Sequence, residues 1–210
     1  MEGVLITHVL DALVLAGGEG KRMGSPKALL PFGNTTLIGA VLRVLRPIFR
    51  KVLVVCRDPA GLPRLGVDVL MDDRPQRGPL VGLARGLAAS DASWCFAVGC
   101  DMPFLRLAVI QRMAGRLEGC DILVPHVMGR LQPLHAFYSR SCLAPARVLL
   151  DEGETSLQAL LDRCRVRTMT AGDFLDVDTR LMSFLDVDTA EDYERAQGLL
   201  DKAPDGEVAS

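Results

Sequence analysis

Residues 12–32 read ALVLAGGEGKRMGSPKALLPF, and the fold is decided by how this stretch is read. Ala12 to Leu15 is a short apolar run that breaks off at glycine, as a buried strand does where it enters a loop. Gly17, Gly18, Gly20 and Gly24 permit backbone conformations closed to other residues and let main-chain N–H groups come close to an anion. Lys21, Arg22 and Lys27 make the loop cationic. A buried strand feeding such a loop suits the phosphates of a nucleotide. The plainer alternative is a glycine-rich turn with surface cations. Spacing excludes two familiar phosphate loops. A dinucleotide fingerprint starting at Gly18 would need glycine where Met23 stands, and a Walker loop would need Ser or Thr after Gly20-Lys21, where Arg22 stands.

Outward from the loop, apolar runs alternate with stretches of helical period. Leu37, Ile38, Val41, Leu42 and Leu45 share a helical face, with Thr35 or Thr36 as N-cap and Pro47 beyond the end. Lys51 to Cys56 (KVLVVC), Val67 to Met71 and Trp94 to Gly99 read as strands covered on both faces. Leu80 to Ala89 reads as a helix, and Pro103 opens another that runs to about Leu117. Ile122 to Pro125, Leu134 to Tyr138, Val166 to Met169 and Phe184 to Val187 read as strands. Ser141 to Leu150 and Ser156 to Cys164 read as helices. Thr189 with Asp192 three residues on caps a last helix, Ala190 to Leu200. Strand–helix alternation predicts an α/β fold with a mostly parallel sheet, whose ligands bind at the carboxyl ends of the strands. That rule selects the loops after Leu15, Cys56, Met71 and Gly99. No internal linker interrupts residues 1–201, which read as one domain, and 202–210 read as a disordered tail. The hexapeptide FLDVDT occurs twice, at 174–179 and 184–189, too short and single a repeat to mean a solenoid.

Composition narrows the function. The net charge is −2 and the basic residues are dispersed, which excludes the basic footprint of a nucleic-acid binder. No apolar run reaches the roughly 18 to 20 residues that span a bilayer, and the N-terminus lacks the basic segment of a signal peptide. Cys56, Cys95, Cys100, Cys120, Cys142 and Cys164 include no CxxC pair, so they read as free thiols in a reducing cytoplasm rather than a zinc or redox site.

The loop resembles the LxGGxxxRMGxxKxLL signature of the molybdenum cofactor guanylyltransferases, members of the nucleotidyltransferase superfamily. The likeness covers most of the chain. Gly78-Pro79-Leu80-x-Gly82-Leu83 is similar to the family's GPLxGL segment, Cys100 to Phe104 (CDMPF) to its CDxPF element, and Gln132 to Tyr138 (QPLHAFY) to its PLHALY strand. The resemblance implies a three-layer αβα, Rossmann-like fold of the nucleotide-diphospho-sugar transferase type. It implies GTP contacts at Leu15, Ala16, Gly17, Gly18, Lys27, Gly78 and Asp101, with Asp72 or Asp73, preferably Asp72, on base or ribose. Arg22, Lys27 and Asp101 become the expected catalytic residues. Asp101 also stands by itself as an Mg2+ ligand, being a carboxylate at the end of a buried strand. Its alternative is an N-cap for the helix after Pro103.

The sequence departs from the family at its late NVNTPEDL motif, where Asp186-Val187-Asp188-Thr189 replaces two asparagines with aspartates. Relatives that make cytidylyl products carry aspartates there, and one serves as a second Mg2+ ligand. Asp188, or else Asp186, is therefore expected to close the metal site with Asp101. Arg57 stands where a family asparagine contacts the nucleotide. His135, in an apolar strand, reads as structural. The resemblance implies GMP transfer from GTP to Mo-molybdopterin with Mg2+, and molybdoenzyme chaperones or other cofactor-biosynthesis proteins as partners. A cytidylyltransferase for the same pterin, a sugar-phosphate nucleotidyltransferase and a non-catalytic nucleotide-binding protein are the alternatives.

Overall fold

The fold is that of a computed structural model that describes residues 9–17, 26–72 and 74–200. In chain order, β1 (Asp11–Leu15) is followed by a small hairpin of β2 (Pro31–Phe32) and β3 (Thr35–Thr36), then by α1 (Leu37–Leu45), β4 (Lys51–Cys56), β5 (Asp68–Met71), α2 (Pro79–Ala89) and β6 (Trp94–Gly99). After these come α3 (Leu107–Ala114), β7 (Ile122–Val127), β8 (Arg130–Leu131), β9 (His135–Ser139), α4 (Leu143–Asp151), α5 (Leu157–Arg163), β10 (Val166–Thr170) and α6 (Ala190–Leu200). The large sheet has the order β10-β7-β9-β6-β1-β4-β5, with β8 hydrogen-bonded to β7. β1 lies parallel to both β4 and β6, β4 parallel to β5, and β7 parallel to β10. β9 runs antiparallel between β6 and β7. The expected mostly parallel α/β sheet is present, with β9 and β8 as its reversed strands.

Alternation along the central strands builds two cores. Ala12 and Val14, Val52 and Val54, and Phe96 and Val98 face α1 and α3. Leu13 and Leu15, Leu53 and Val55, and Cys95 and Ala97 face α2, α4 and α5. Every residue of β1 is buried, which is why the run carries no alternation of polarity. Helix α2 lies tight on β1 because it offers glycine: a Cβ on Gly86 would sit 2.8 Å from both Leu13 methyls, and one on Gly82 3.3 Å from Leu15. A third apolar cluster joins the β2–β3 hairpin, α1, Val187 and Ala196 of α6, and so fixes where the chain before α6 runs. Thr36 is the N-cap of α1, accepting from Gly39 N at 3.2 Å. Thr189 and Asp192 exchange the reciprocal capping bonds at α6.

Four expectations shift. Val67 to Met71 is not covered on both faces, because β5 is the last strand of the sheet and its Asp68 and Met71 are exposed. Pro103 does not open a helix, because Met102 and Leu105 are drawn into the core and the Arg106 N–H bonds Ser183 Oγ. The helix waits until Leu107 and stops before Gly115. Ser141 to Leu150 begins as a 3-10 turn over Arg140–Cys142. Phe184 to Val187 pairs with no strand. It follows a 3-10 turn (Met182–Phe184) and crosses the strand ends, its Val187 N–H bonding Asp101 O at 2.9 Å. Residues 1–8 and the tail 202–210 lie outside the described residues. All six cysteines are free and five are buried. Among the described residues no helix is long and apolar enough to cross a membrane.

His135 is fully buried, edge-on to Phe96 (ring centroids 5.1 Å apart, 86° between planes) and 4.5 Å from Phe184. Burial pushes its imidazole from 6.5 down to about 3. Its place is structural, as its apolar strand suggests. The unfolded chain therefore binds one more proton than the folded chain between those values, and stability falls as the pH drops through that window, by about 1.4 kcal/mol per unit at most. Denaturation midpoints of the wild type should fall more steeply from pH 7 to pH 4.5 than those of His135→Gln. Parallel pH profiles would contradict the assignment.

Candidate nucleotide and metal site

The site forms where β1 and β6 end. The Ala16 N–H bonds Val55 O at 2.8 Å and the Cys100 N–H bonds Leu15 O at 3.1 Å, so the strand ends are stitched together at the point where the chain turns into the glycine loop. Gly17 is exposed, and among the described residues nothing lies within 4 Å of where its Cβ would stand. Gly18 and Arg22 lie outside the described residues, as does Asp73. After Pro26 comes a 3-10 turn, Lys27–Leu29, anchored by buried Ala28. That anchor aims Lys27 across the strand ends.

The Lys27 ammonium donates to Asp101 Oδ2 at 2.6 Å and to Asp188 Oδ1 at 2.7 Å. Lys27 and Asp101 are about four-fifths buried and Asp188 is open to solvent (18, 22 and 60% side-chain exposure). Desolvation alone would lower the lysine pKa. The charges and hydrogen bonds of Asp101 and Asp188 outweigh it, and the pKa is raised. Asp101 does not cap a helix, since α3 begins six residues later. Its carboxylate folds back over Gly99, where a Cβ would lie 2.3 Å from Oδ1, so glycine is required at 99 for this geometry. Sequence reading passed over Gly99. The signal available was a glycine two residues before the expected ligand.

The two carboxylates thus converge on one cation, and hard anionic oxygens that do so are a donor set suited to Mg2+ or Mn2+. Among the described residues no third His, Cys, Asp or Glu joins them. Asp186, the less favoured ligand, is turned away and accepts from Arg130 Nη2 at 2.7 Å. Each of the aspartates that depart from the expected asparagines therefore has its own cation.

The remaining expected residues lie at neighbouring strand ends. Asp72 follows β5, its N–H on Cys56 O, and its side chain accepts from Arg74 N at 3.2 Å and faces Arg57 at 3.9 Å. Arg57 also donates to Gln76 O, so it fastens the β4 loop to the segment entering α2. Gly78 stands at the start of α2 with φ 149°, and a Cβ there would lie 2.6 Å from Thr155. Close packing accounts for this glycine. Asp72 and Gly78 make their contacts apart from the Lys27 cluster.

A mostly parallel α/β sheet with a glycine loop, a lysine and paired carboxylates at its carboxyl edge is the framework of a nucleotidyltransferase. Residues 12–168 match the family described as "MobA-like NTP transferase domain", and the chain belongs to that family. It is 33% identical over 193 residues to a molybdenum cofactor guanylyltransferase of Desulfosudis oleivorans, covering 91% of this chain and 96% of that one. It is 30% identical over 196 residues to a probable molybdenum cofactor guanylyltransferase of Pelotomaculum thermopropionicum, covering 93% and 96%. The crystal structure of molybdopterin-guanine dinucleotide biosynthesis protein A from Archaeoglobus fulgidus superposes with a TM-score of 0.81 at 27% identity, covering 92% of this chain and all of that one.

Lys27 occupies the position of a counter-ion, so its removal should expose the carboxylates to a competing cation. Lys27→Met is expected to tighten nucleotide-free Mn2+ binding about tenfold at low ionic strength, read by electron paramagnetic resonance. Unchanged or weaker binding would separate Asp101 and Asp188 from any cation site.

Proposed function

We propose that the chain transfers GMP from GTP to the phosphate of Mo-molybdopterin, giving the guanine dinucleotide cofactor and pyrophosphate. The observation that carries this reading is the convergence of Asp101 and Asp188 on Lys27 at the strand ends, in a chain of the MobA-like family. In this proposal the main-chain N–H groups of Gly17 and Gly18, with Arg22 and Lys27, bind the triphosphate, and Leu15 and Ala16 contact GTP at the end of β1, whose own N–H groups are already bonded within the sheet. Asp72 holds base or ribose, and Gly78 shapes the pocket wall. Asp101 and Asp188 hold Mg2+, which when bound neutralises phosphate charge and fixes the α-phosphate. Lys27 then leaves the carboxylates for the phosphates.

The acceptor's phosphate oxygen attacks the α-phosphorus, a new P–O bond forms, and the bond from the α-phosphorus to the α,β-bridging oxygen breaks to release pyrophosphate. The attacking oxygen is already anionic at neutral pH, so no general base is needed. This fits a site whose His135 is buried as core. Rate then comes from alignment and from charge neutralisation aimed at the transition state. The free thiols suit a cytoplasmic location, and product passes to molybdoenzyme chaperones or other cofactor-biosynthesis proteins.

Incubation with each labelled nucleoside triphosphate, Mg2+ and Mo-molybdopterin tests the reading. GTP is expected to be consumed with stoichiometric pyrophosphate, and Asp101→Ala to lose at least about a hundredfold in rate while still binding GTP. Consumption of CTP with GTP inert would overturn guanylyl transfer in favour of cytidylyl transfer.

A further inference from the structure

We propose that the cleft between the β7–β8 hairpin and the start of α5 binds the acceptor, a planar heterocycle bearing a phosphate monoester, and that Arg130 takes its phosphate. The inference deepens the guanylyl-transfer reading and rests on it. The cleft holds about 470 Å³ and its walls include Pro79, Pro133 and Leu134, with Arg130 as the cation and Thr155, Ser156 and Gln158 as the other polar groups on its lining. Apolar walls with neutral hydrogen-bonding groups and a single fork of cationic donors match a heterocycle carrying one dianion.

Its place follows from strand order. β1, β4 and β5, which bring Leu15 to Gly17 and Asp72, lie on one side of β6 and Asp101, whereas β9, β7 and β8 lie on the other. With the nucleotide side taken, the flank left for the acceptor is the one where this cleft opens. Arg130 links it to the cation site. Its guanidinium rests on Asp186, Val187 N–H holds Asp101 O, and Asp188 accepts from Lys27. The Arg130 side chain is half exposed, and among the described residues its partner is Asp186, itself about two-thirds buried, so the guanidinium keeps an open face toward the cleft. Arg130 is presented by a two-residue hairpin turn, Met128-Gly129, whose left-handed φ values (54° and 74°) are those a tight turn between twisted strands requires, so its position at the cleft is fixed by the β7–β8 pairing.

The probe is 6-hydroxymethylpterin phosphate, followed by pterin fluorescence in the absence of GTP and metal. Arg130→Ala is expected to weaken its binding about ten- to a hundredfold, Arg130→Lys to restore part of that loss, and the dephosphorylated pterin to bind wild type and variant alike. In parallel, the KM for Mo-molybdopterin should rise by a similar factor while the KM for GTP stays within about twofold. Equal binding of the phosphorylated probe to wild type and Arg130→Ala would overturn the assignment. So would equal KM values for acceptor. Failure of the wild type to release pyrophosphate from GTP with Mo-molybdopterin would instead overturn guanylyl transfer, and the pterin-phosphate titration would still decide the role of Arg130.

Discussion

Two carboxylates that approach a common point repel one another, and the structure is arranged to hold Asp101 and Asp188 there with the Lys27 ammonium between them. Each of the three groups is delivered by a different element. Asp101 is thrown back by Gly99 at the end of β6. Lys27 is aimed by a turn whose Ala28 and Leu30 are buried. Asp188 arrives only because Val187 is pinned in the third apolar cluster and hydrogen-bonded to Asp101 O. The β2–β3 hairpin and α6, which look peripheral to the sheet, are therefore the supports of the site. A lysine is well suited to this position because its ammonium satisfies both carboxylates at rest and its flexible stem lets it move to a phosphate when a divalent cation takes over.

The doubled FLDVDT hexapeptide turns out to be one device used twice. Phe174 and Phe184 are both fully buried with centroids 5.1 Å apart, so each copy is nailed into the core by its first residue. The aspartates that follow each meet a cation. In the first copy Asp176 pairs with both Nη atoms of Arg112, and Asp178 lies 3.3 Å from Arg106 Nε while accepting from Ser183 N, which fastens the chain to the start of α3. In the second, Arg130 and Lys27 take the partner roles, and the chain runs extended after Phe184 rather than turning as the first copy does, which carries its carboxylates to the strand ends. One copy serves packing and the other the site.

The sequence made legible the parts governed by local rules. Strands buried on both faces appear as unbroken apolar runs, α1 and α6 announce themselves by Thr36 and Thr189, and the end of β1 is marked by its glycines. The pairing of Asp101 with Asp188 was also within reach, through a motif at each position. What escaped depends on contacts between residues far apart in the chain. FLDV has the composition of a strand, yet residues 184–187 cross the strand ends, because β6, beyond whose end they lie, is already paired with β1 on one side and β9 on the other. Pro103 has the look of a helix start, and only the burial of Met102 and Leu105 delays α3 to Leu107. Arg130 belongs to no motif at all. It became visible only when folding brought it against Asp186, 56 residues away.

The direct measurement is the anomalous scattering of Mn2+ in a crystal of the protein grown with a non-hydrolysable GTP analogue. A peak bound by Asp101 and Asp188, with the Lys27 ammonium displaced onto a phosphate oxygen, is the predicted result. A metal elsewhere, or Lys27 still bridging the two carboxylates with nucleotide bound, would contradict it.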